Sequence, residues 1–391
     1  MKPDRRILRT LCALAAALAC GLASAAPRYV VKPIDPATEG QRPGGQLAQG
    51  SDGALYGTAE AGGPNGDGTV FRVDTRGRIT LLHAFDGSDG FSVAAGLTPA
   101  SDGWLYGATV LGGAHGLGGL FRVAPDGRFE QLHDFDDGAD RGAQELASPM
   151  TFGPDGTLYG TTVHSNGYPE RNGTIFRYTP KGKLQILYVF GTRARNPAAG
   201  VTFGADGLLY GLTESDGKSD CGVLYAIAPD GSDFRLLHQF NKDIDGCQPR
   251  GTMVLGDDGA LYGTTQFGGP IGGQGTIFRF TPAAQTMDVL HVFHDDDPLG
   301  ADPRPGLSRD AAGTLYGATL YGSTFGTGSV FSMKPGGKLR LLHAFETDGV
   351  DGRSPWSPPT PLPDGRLAGT TVEGGMLGAG TIWRLDLTRA P

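Results

Sequence analysis

One short motif recurs along almost the whole chain at a nearly constant spacing. A second pattern, close to Thr-Val-Phe-Arg-Val, follows most copies, and a third, close to Leu-Leu-His-x-Phe, comes after it. The first motif is Leu-Tyr-Gly, found at 55–57, 105–107, 158–160, 209–211, 261–263 and 315–317, with an altered seventh copy at 367–369. Successive copies are 50 to 54 residues apart. A fixed period of this length predicts a repeat architecture, which changes any estimate of domain number from length.

Each unit contains four short segments rich in β-branched and aromatic residues, and Gly, Asp and Pro separate them. Asp-Gly pairs precede most Leu-Tyr-Gly copies, and this dipeptide favours a tight hairpin turn. The 66 glycines among 391 residues argue against helical bundles and helical solenoids, which keep glycine out of their elements. Four strands in each of seven units predict an all-β fold, a seven-bladed β-propeller of four-stranded blades.

The two ends of the chain predict how such a ring closes. The last unit stops near residues 385–387 and lacks its Leu-Leu-His-x-Phe segment. The residues Arg28-Tyr29-Val30-Val31 resemble that missing segment. We therefore expect the N-terminal strand to complete the last blade, which leaves no unpaired sheet edge. Residues 27–391 are then a single propeller domain.

Residues 1–26 have the composition of a secretory signal peptide. Basic residues at 2, 5, 6 and 9 precede an apolar run over 11–22, and Ser24-Ala25-Ala26 offers a cleavage site. The run is too short to span a membrane, and we predict no transmembrane segment after its removal. We predict an exported protein, periplasmic or extracellular. Arg5-Arg6 keeps a twin-arginine route open, and Cys20 keeps lipoprotein anchoring open as an alternative.

The repeat resembles that of a known family. The pattern DGxLYGTTxxGGxxGxGTVFRV is similar to the tandem repeat of the choice-of-anchor GloVer proteins, and the resemblance covers essentially all of residues 27–391. It implies an exported, β-rich repeat protein, often tethered through a C-terminal anchor, with no established activity. Here residues 388–391 follow the last strand with no apolar tail, so the sequence does not predict that anchor.

Strand alternation divides the loops between two faces. One face carries short turns, and the other carries the glycine-rich loops and the connections that follow Leu-Leu-His-x-Phe. Loops of the second kind are long and variable, which is where binding usually takes place. We call this the long-loop face, and its acidic residues are our candidate binding residues: Asp86, Asp89, Asp136, Asp140, Asp243, Asp245, Asp295, Asp297, Asp348 and Asp351.

Three further features of these loops have a structural and a functional interpretation. Asp-x-Asp-Gly stretches offer oxygen ligands for calcium, but the chain has no bidentate glutamate at the EF-hand offset, so ordinary turns explain them as well. No other cofactor is expected.

Histidines and arginines that recur at one repeat position are expected to be structural. For the arginines, we expect ion pairs between blades. Cys221 and Cys247 fall on the long-loop face of one unit, and we predict a disulfide between them.

The sequence leaves two functions open. The formal net charge is −8 and becomes −11 without residues 1–26, which argues against a nucleic-acid partner. A binding or scaffold module, monomeric, would dock a protein or a glycan on the long-loop face. The alternative is a glycoside hydrolase or polysaccharide lyase with its site on that face. Glutamates outside the repeat pattern exist for such chemistry, but no catalytic pair stands out: Glu60, Glu145, Glu170, Glu214 and Glu373.

Overall fold

A computed structural model describes residues 29–388, except 137, 139, 141–145, 147, 165–171 and 192–193. Within this part of the chain every regular element is a β-strand, and seven antiparallel sheets contain four strands each. The predicted seven-bladed β-propeller is therefore confirmed. The predicted signal peptide lies outside the described residues. Within the described ranges, no helix is long and apolar enough to cross a membrane.

The strands are numbered in chain order, beginning with β1 (Tyr29–Pro33). Blade 1 contains β2 (Ala48–Gln49), β3 (Leu55–Ala59), β4 (Thr69–Val73) and β5 (Ile79–Ala84). Blade 2 contains β6 (Thr98–Pro99), β7 (Leu105–Thr109), β8 (Gly119–Val123) and β9 (Phe129–Asp134). Blade 3 contains β10 (Thr151–Phe152), β11 (Leu158–Thr162), β12 (Thr174–Tyr178) and β13 (Leu184–Val189). Blade 4 contains β14 (Thr202–Phe203), β15 (Leu209–Leu212), β16 (Val223–Ile227) and β17 (Arg235–Gln239).

The remaining blades follow the same order. Blade 5 contains β18 (Val254–Leu255), β19 (Leu261–Thr265), β20 (Thr276–Thr281) and β21 (Thr286–Val292). Blade 6 contains β22 (Leu307–Arg309), β23 (Leu315–Thr319), β24 (Ser329–Met333) and β25 (Arg340–Ala344). A small ribbon pairs β26 (Gly352–Arg353) with β29 (Glu373–Gly374). Blade 7 contains β27 (Thr360–Pro361), β28 (Arg366–Thr371), β30 (Thr381–Asp386) and β1.

The short first strand of each blade is the innermost one. The innermost strands of neighbouring blades contact each other: β2 contacts β6, and β18 contacts β22. Their hydroxyl groups also bridge neighbouring blades: Thr98 Oγ1 donates to the carbonyl of Met150 at 2.9 Å, and Thr360 Oγ1 donates to that of Leu47 at 2.6 Å. The second bond joins blade 7 to blade 1. The Leu-Leu-His-x-Phe strand is consequently the outermost strand, and the connection after it crosses the long-loop face to the axis.

The glycine of Leu-Tyr-Gly is required by the packing within each blade. Gly57 pairs with Phe71 on the next strand, and a Cβ at Gly57 would lie 2.5 Å from the Phe71 ring. The same contact joins Gly107 to Phe121. Because the glycine has no Cβ, the end of each such ring can lie against the backbone of the adjacent strand and fill the core beside the neighbouring blade. The apolar cores accordingly lie between blades, and one of them combines Phe71 of blade 1 with Ile382 of blade 7.

The N-terminal strand closes the ring as predicted. β1 pairs antiparallel with β30, with Tyr29 opposite Leu385 and Pro33 opposite Thr381. Beyond the strand, the fully buried Ile34 donates its amide to the carbonyl of Gly380. Six blades carry a β-bulge between the third and fourth strands, but the β1–β30 pair has none. The added strand is thus regular where the others are bulged.

Deletion of residues 27–36 should lower the melting temperature by roughly 10 °C or more, because it removes a strand ladder and a buried Ile side chain worth about 1.5–3 kcal/mol alone. Differential scanning calorimetry measures the effect. The substitution Val30→Ala is the control, since Val30 is exposed, and it should leave the transition within about 2 °C. An unchanged transition in the deleted protein would show that the ring is not closed by β1.

Tyr225 replaces the phenylalanine of the repeat in blade 4, and among the described residues its buried hydroxyl has no hydrogen-bond partner. We expect Tyr225→Phe to raise the free energy of unfolding by about 1–2 kcal/mol, since it removes an unsatisfied polar group at the same shape. Tyr262→Phe is the comparison variant, because the Tyr262 hydroxyl donates to Asp258 at 2.9 Å. This substitution should lower the free energy of unfolding by about 1 kcal/mol. Urea unfolding of both variants tests the pair, and a destabilised Tyr225→Phe protein contradicts the interpretation.

Candidate functional site

The short-turn face is held together by contacts within blades and between them. Between blades, Arg384 of blade 7 donates to the carbonyls of Asp74 and Thr75 in blade 1. In blade 1, Asp52 of the Asp-Gly turn accepts hydrogen bonds from Tyr56 at 2.9 Å and from Arg72 at 2.7 Å. Blade 5 repeats this arrangement. The expected ion pairs between blades are therefore wrong for these arginines. Tyr56 stands directly opposite Arg72 in the sheet, with the turn aspartate beside both.

In blade 3 the register is the same, but the turn aspartate Asp155 accepts the hydroxyl of Thr157. There Arg177 donates instead to the carbonyl of Pro229 in blade 4.

An open groove of about 740 Å³ lies between blades 2 and 3 near this face. Its charged and aromatic groups are already joined to each other. Tyr106 donates to Asp102 at 3.1 Å, and Arg122 donates to Tyr106 at 3.3 Å and to Glu130 at 2.8 Å. The contacts among Asp102, Tyr106 and Arg122 repeat the network of blades 1 and 5, so the groove is not our candidate site.

The recurring histidines organise the rim of the long-loop face. His83, at the end of β5, lies 2.7 Å from a carboxylate oxygen of Asp89 in the loop that follows. The other carboxylate oxygen of Asp89 accepts the amide of Asp86 at 3.1 Å. Four more blades form the same histidine–aspartate pair: His133 with Asp140, His238 with Asp245, His291 with Asp297 and His343 with Asp351. Each pair folds the start of one connection back onto the outermost strand.

The ten candidate aspartates thus divide by local role. Five are the histidine partners just named. Asp86, Asp136 and Asp348 accept backbone amides two residues ahead and shape the turn. Asp243 and Asp295 are exposed at loop tips. The structure distributes all ten along the rim, in five different loops, and does not bring them together at one point.

Calcium binding therefore stays a prediction. Among the described residues, no three His, Cys, Asp or Glu side chains are placed to hold a metal ion together. The oxygen atoms that would serve as ligands in these loops are occupied in good part by hydrogen bonds within the turns. Asp-Gly turn chemistry accounts for the described contacts without an ion.

The predicted disulfide is present between Cys221 and Cys247, whose Cα atoms lie 4.4 Å apart. It joins the long loop of blade 4 to the connection that enters blade 5. The backbone makes the same link, since Gln248 donates its amide to the carbonyl of Cys221 at 3.0 Å. The covalent bond thus reinforces a contact on the side of the ring described next.

The connections converge on a cavity of about 210 Å³ at the axis of the long-loop face. We call this cavity the axial mouth. Its lining comes from all seven blades, through residues that stand just before each innermost strand: 44–46, 94–96, 148–149, 198, 250–252, 304–305 and 356–358.

The blades contribute unequal side chains to this mouth. The blades can be aligned on the residue of the innermost strand that pairs with the tyrosine of Leu-Tyr-Gly, such as Ala48 in blade 1 and Val254 in blade 5. The residue four positions before this one in the sequence lines the mouth. In blades 1, 2 and 4 this residue is small, namely Gly44, Ala94 and Ala198. The equivalent in blade 3, Ala147, lies outside the described residues. In the three consecutive blades 5, 6 and 7 it is large, namely Arg250, Arg304 and Trp356.

Both arginines are positioned by carboxylates on the loops beside them. Arg250 Nε donates to Glu214 Oε1 at 2.8 Å, which links blade 4 to the connection that enters blade 5. Arg304 Nη2 donates to Asp302 Oδ2 at 2.6 Å. Asp302 is buried and has a φ of 58°, so the backbone presents it in an unusual conformation for a non-glycine residue.

Trp356 completes the mouth from the blade 7 side. It is 44% exposed, and the guanidinium of Arg42 lies 5.8 Å from its ring centroid. Arg42 belongs to the connection that enters blade 1, so this contact crosses the seam where the ring closes. Arg42 itself is paired with Glu60 at 3.0 Å.

Blades 5, 6 and 7 also expose large apolar side chains on the same face. We call this set the apolar arc: Phe267, Ile271, Tyr321, Phe325, Trp356, Met376 and Leu377. Tyr321 is 52% exposed and Ile271 is 94% exposed. Apolar side chains exposed together in three neighbouring blades are typical of an interaction surface.

Sequence reasoning pointed to the long-loop face but did not predict the mouth or the arc. The glutamates that it noted outside the repeat pattern are ion-paired where they are described: Glu60 with Arg42, Glu214 with Arg250, and Glu373 with Arg353. Glu145 and Glu170 lie outside the described residues. The signal that marks the mouth is the exchange of a small residue for Arg or Trp at one repeat position, which becomes visible only when the strand register is known.

Comparison with protein families identifies the repeat. The Gloeobacter/Verrucomicrobia repeat matches residues 29–221 and 191–383. These two matches cover most of the chain, which therefore belongs to this repeat family, as the resemblance in the sequence predicted. A search of the curated proteins finds no significant match.

Solved structures of similar fold have unlike functions. An oligogalacturonate lyase from Vibrio parahaemolyticus is 13% identical, with 92% of this chain and 96% of that chain covered and a TM-score of 0.60. The GH74 enzyme of Niastella koreensis is 16% identical, with 91% and 53% covered and a TM-score of 0.60. The extracellular domain of a one-component system of B. thetaiotaomicron is 12% identical, with 90% and 39% covered and a TM-score of 0.58. This chain thus spans about two fifths of that extracellular-domain chain and about half of the GH74 chain. At these identities the likeness shows the propeller fold alone.

We expect the Asp351 carboxyl, which His343 contacts at 3.0 Å, to make stability depend on pH. Burial raises the pKa of the Asp351 carboxyl, but hydrogen bonds from His343, Tyr29 and the Glu346 amide outweigh it and hold this pKa below its usual value. A lowered pKa in the folded state stabilises the protein above the unfolded pKa, and this stability is lost as the pH falls through that range. We expect Asp351→Asn to lower the free energy of unfolding at pH 7 by about 1–3 kcal/mol and to flatten its decline below about pH 4.

Urea unfolding between pH 7 and pH 3 measures both effects. Asp243→Asn is the control, because Asp243 is exposed and accepts no hydrogen bond among the described residues, and it should follow the unmodified protein throughout. If Asp351→Asn loses as much stability on acidification as the control does, the pair does not carry this pH dependence.

Proposed function

We propose that this protein is an exported binding module that docks a partner protein on the apolar arc. The observation that carries the proposal is the exposure of large apolar side chains in three consecutive blades of one face. Aromatic residues and methionine are enriched in the buried centres of protein interfaces. The disulfide favours an oxidising compartment, in agreement with the signal peptide predicted over residues 1–26.

The composition of the arc favours a protein over a glycan. Ile271, Met376 and Leu377 are aliphatic and are among its most exposed members. Such side chains have no flat face on which a sugar ring could stack, but they bury well against another apolar surface. Aromatic groups alone would leave the choice open.

The charges around the arc indicate the chemistry of the partner. The connections of blades 4 to 6 expose acidic groups at their tips, namely Asp243, Asp295, Asp296, Glu346 and Asp348. Lys242 and Arg353 are exposed basic residues of the same connections, and Arg353 is paired with Glu373. An apolar surface edged with carboxylates is complementary to an apolar surface edged with Lys and Arg. The same acidic edge opposes self-association, so we expect the module to be a monomer.

The geometry does not favour the enzyme alternative. At the axial mouth, the carboxylates of Glu214 and Asp302 are each engaged by an arginine. Glycoside hydrolysis needs a pair of carboxylates available to the substrate, and within the described ranges these two are used in ion pairs. Binding without turnover remains the function that the described contacts support.

Affinity capture from the envelope and secreted proteins of the source organism tests the proposal, with Tyr321→Ser and with a matched control. Leu111 of blade 2 occupies the same repeat position as Tyr321, since each forms a backbone bridge to the connection that enters its own blade. Leu111 is also exposed. A protein held by the unmodified module and by Leu111→Ser, but lost with Tyr321→Ser, is the expected partner. With that protein purified, we expect Tyr321→Ser to cost about 2 kcal/mol, roughly a 30-fold loss of affinity.

Two outcomes contradict the proposal. One is equal retention of every captured protein by the Tyr321→Ser and Leu111→Ser variants. The other is a polysaccharide that binds the unmodified module on an array and is lost with Tyr321→Ser, which would assign the arc to a glycan. Raising the salt from 50 to 500 mM should slow association with the partner, because it screens the acidic edge.

A further inference from the structure

We infer that the axial mouth binds a small organic anion, a single sugar or aromatic ring that carries one carboxylate. This inference does not rest on the protein partner proposed above, because the mouth and the apolar arc offer different chemistry. The arc is an open apolar surface, whereas the mouth is a concave site with charged groups. The two share only Trp356.

The size of the mouth limits the ligand. A cavity of about 210 Å³ is smaller than the usual pocket for a drug-sized molecule, and it suits a single six-membered ring. The small residues of the other blades keep one side of it clear. Side chains in place of Gly44, Ala94 or Ala198 would fill the space that the ligand needs.

The two arginines supply the anion-binding groups. Arg250 uses Nε and Nη2 on Glu214, and Arg304 uses Nε and Nη2 on Asp302. In the described part of the chain, neither Nη1 group has a hydrogen-bond partner. Each side chain is thus held at one edge of its guanidinium while donors on the other edge are unused. Planar guanidinium groups favour carboxylates through paired, charge-assisted hydrogen bonds.

The net charge of the site favours a singly charged ligand. Glu214 and Asp302 balance the two arginines, so the mouth has no large positive excess. A phosphate with two negative charges would meet these two carboxylates as well as the guanidinium groups. A carboxylate needs only the unused donors.

Trp356 explains why the ligand should contain a ring. Its indole is about half exposed at the edge of the cavity, in the blade next to Arg304. An exposed indole offers a flat apolar face against which a sugar or an aromatic ring stacks. A carboxylate at the arginines and a ring against Trp356 would together determine the orientation of the ligand.

Isothermal titration calorimetry with glucuronate, benzoate and glucose tests this inference. We expect glucuronate, benzoate or both to bind the unmodified protein, and glucose to bind at least about tenfold more weakly than glucuronate because it lacks the carboxylate. Arg250→Gln, Arg304→Gln and Trp356→Ala should each weaken the acid by about tenfold or more.

Arg195→Gln is the matched control. Arg195 is paired with Asp216 on the same face, at 2.7 Å, but it does not line the mouth. This variant should bind the acid within about twofold of the unmodified protein. Thermal melting of every variant confirms that it is folded, and Arg304→Lys checks that the planar fork, rather than charge alone, is required.

Each outcome decides the point. Binding of glucuronate alone assigns a sugar acid, and binding of benzoate alone assigns an aromatic acid. No heat from either acid at 20 mM, equal binding of glucose and glucuronate, or full binding by folded Arg250→Gln and Arg304→Gln overturns the inference. If the arc binds its partner independently of the mouth, the two arginine variants should capture the partner protein as well as the unmodified protein does. A negative result for acid binding therefore does not decide the proposed docking function.

Discussion

The pairing of β1 with β30 is the contact on which the rest of the structure depends. Blade 7 obtains only three of its strands from its own end of the chain, and β1 supplies the outermost one. Tyr29 on this strand also reaches the neighbouring blade, where it stacks on His343 at 3.8 Å and donates to Asp351 at 2.6 Å. One segment therefore completes a sheet and joins that sheet to blade 6. A ring closed in this way places the residues of the first and last connections beside each other at the axis.

Sevenfold repetition and function make opposite demands on the sequence. Contacts that build the blade recur, such as the glycine beneath the aromatic ring, the turn aspartate with its tyrosine, and the histidine–aspartate pair at the rim. Contacts that could recognise a ligand do not need to recur, and they occur where the repeat is broken. Arg250, Arg304 and Trp356 replace small residues in three neighbouring blades, and the apolar arc occupies the same blades. The large side chains at the mouth and the exposed apolar side chains thus occur in the same three blades, which distinguishes blades 5 to 7 from the rest of the ring.

Several features could be predicted from the sequence because they depend on local chemistry or on the period. Strand number, blade number, ring closure and the Cys221–Cys247 disulfide follow from the spacing of motifs and from loops sorted by strand alternation. The partner of each repeat arginine could not be predicted in the same way. Arg72 pairs with Asp52 of its own blade, whereas Arg177 donates to the carbonyl of Pro229 in the next blade. The choice depends on which side chains the turn aspartate already accepts, and the motif spacing does not show that.

The candidate site was less accessible to sequence reasoning than the fold. Acidic loops such as Asp243–Asp245 attract attention because they are conspicuous in the sequence, yet Asp245 is used to hold a histidine. The axial mouth is assembled from single residues that lie about fifty positions apart and share no motif. Only the innermost strands bring Arg250 and Trp356 to one cavity. Motif spacing along the chain therefore predicts the blades. Finding the positions at which the blades differ requires the strand register.

Hydrogen exchange at the Ile34 amide is the most direct test of the closed ring. This amide lies just after β1 and donates to the carbonyl of Gly380 in the last repeat unit. If the ring is a single cooperative body closed by its first strand, the amide exchanges only as the whole domain unfolds, with the same free energy as the slowest amides of the central strands. Exchange at the rate of an unstructured peptide, while the blade cores stay protected, would show that the first segment is not part of the ring.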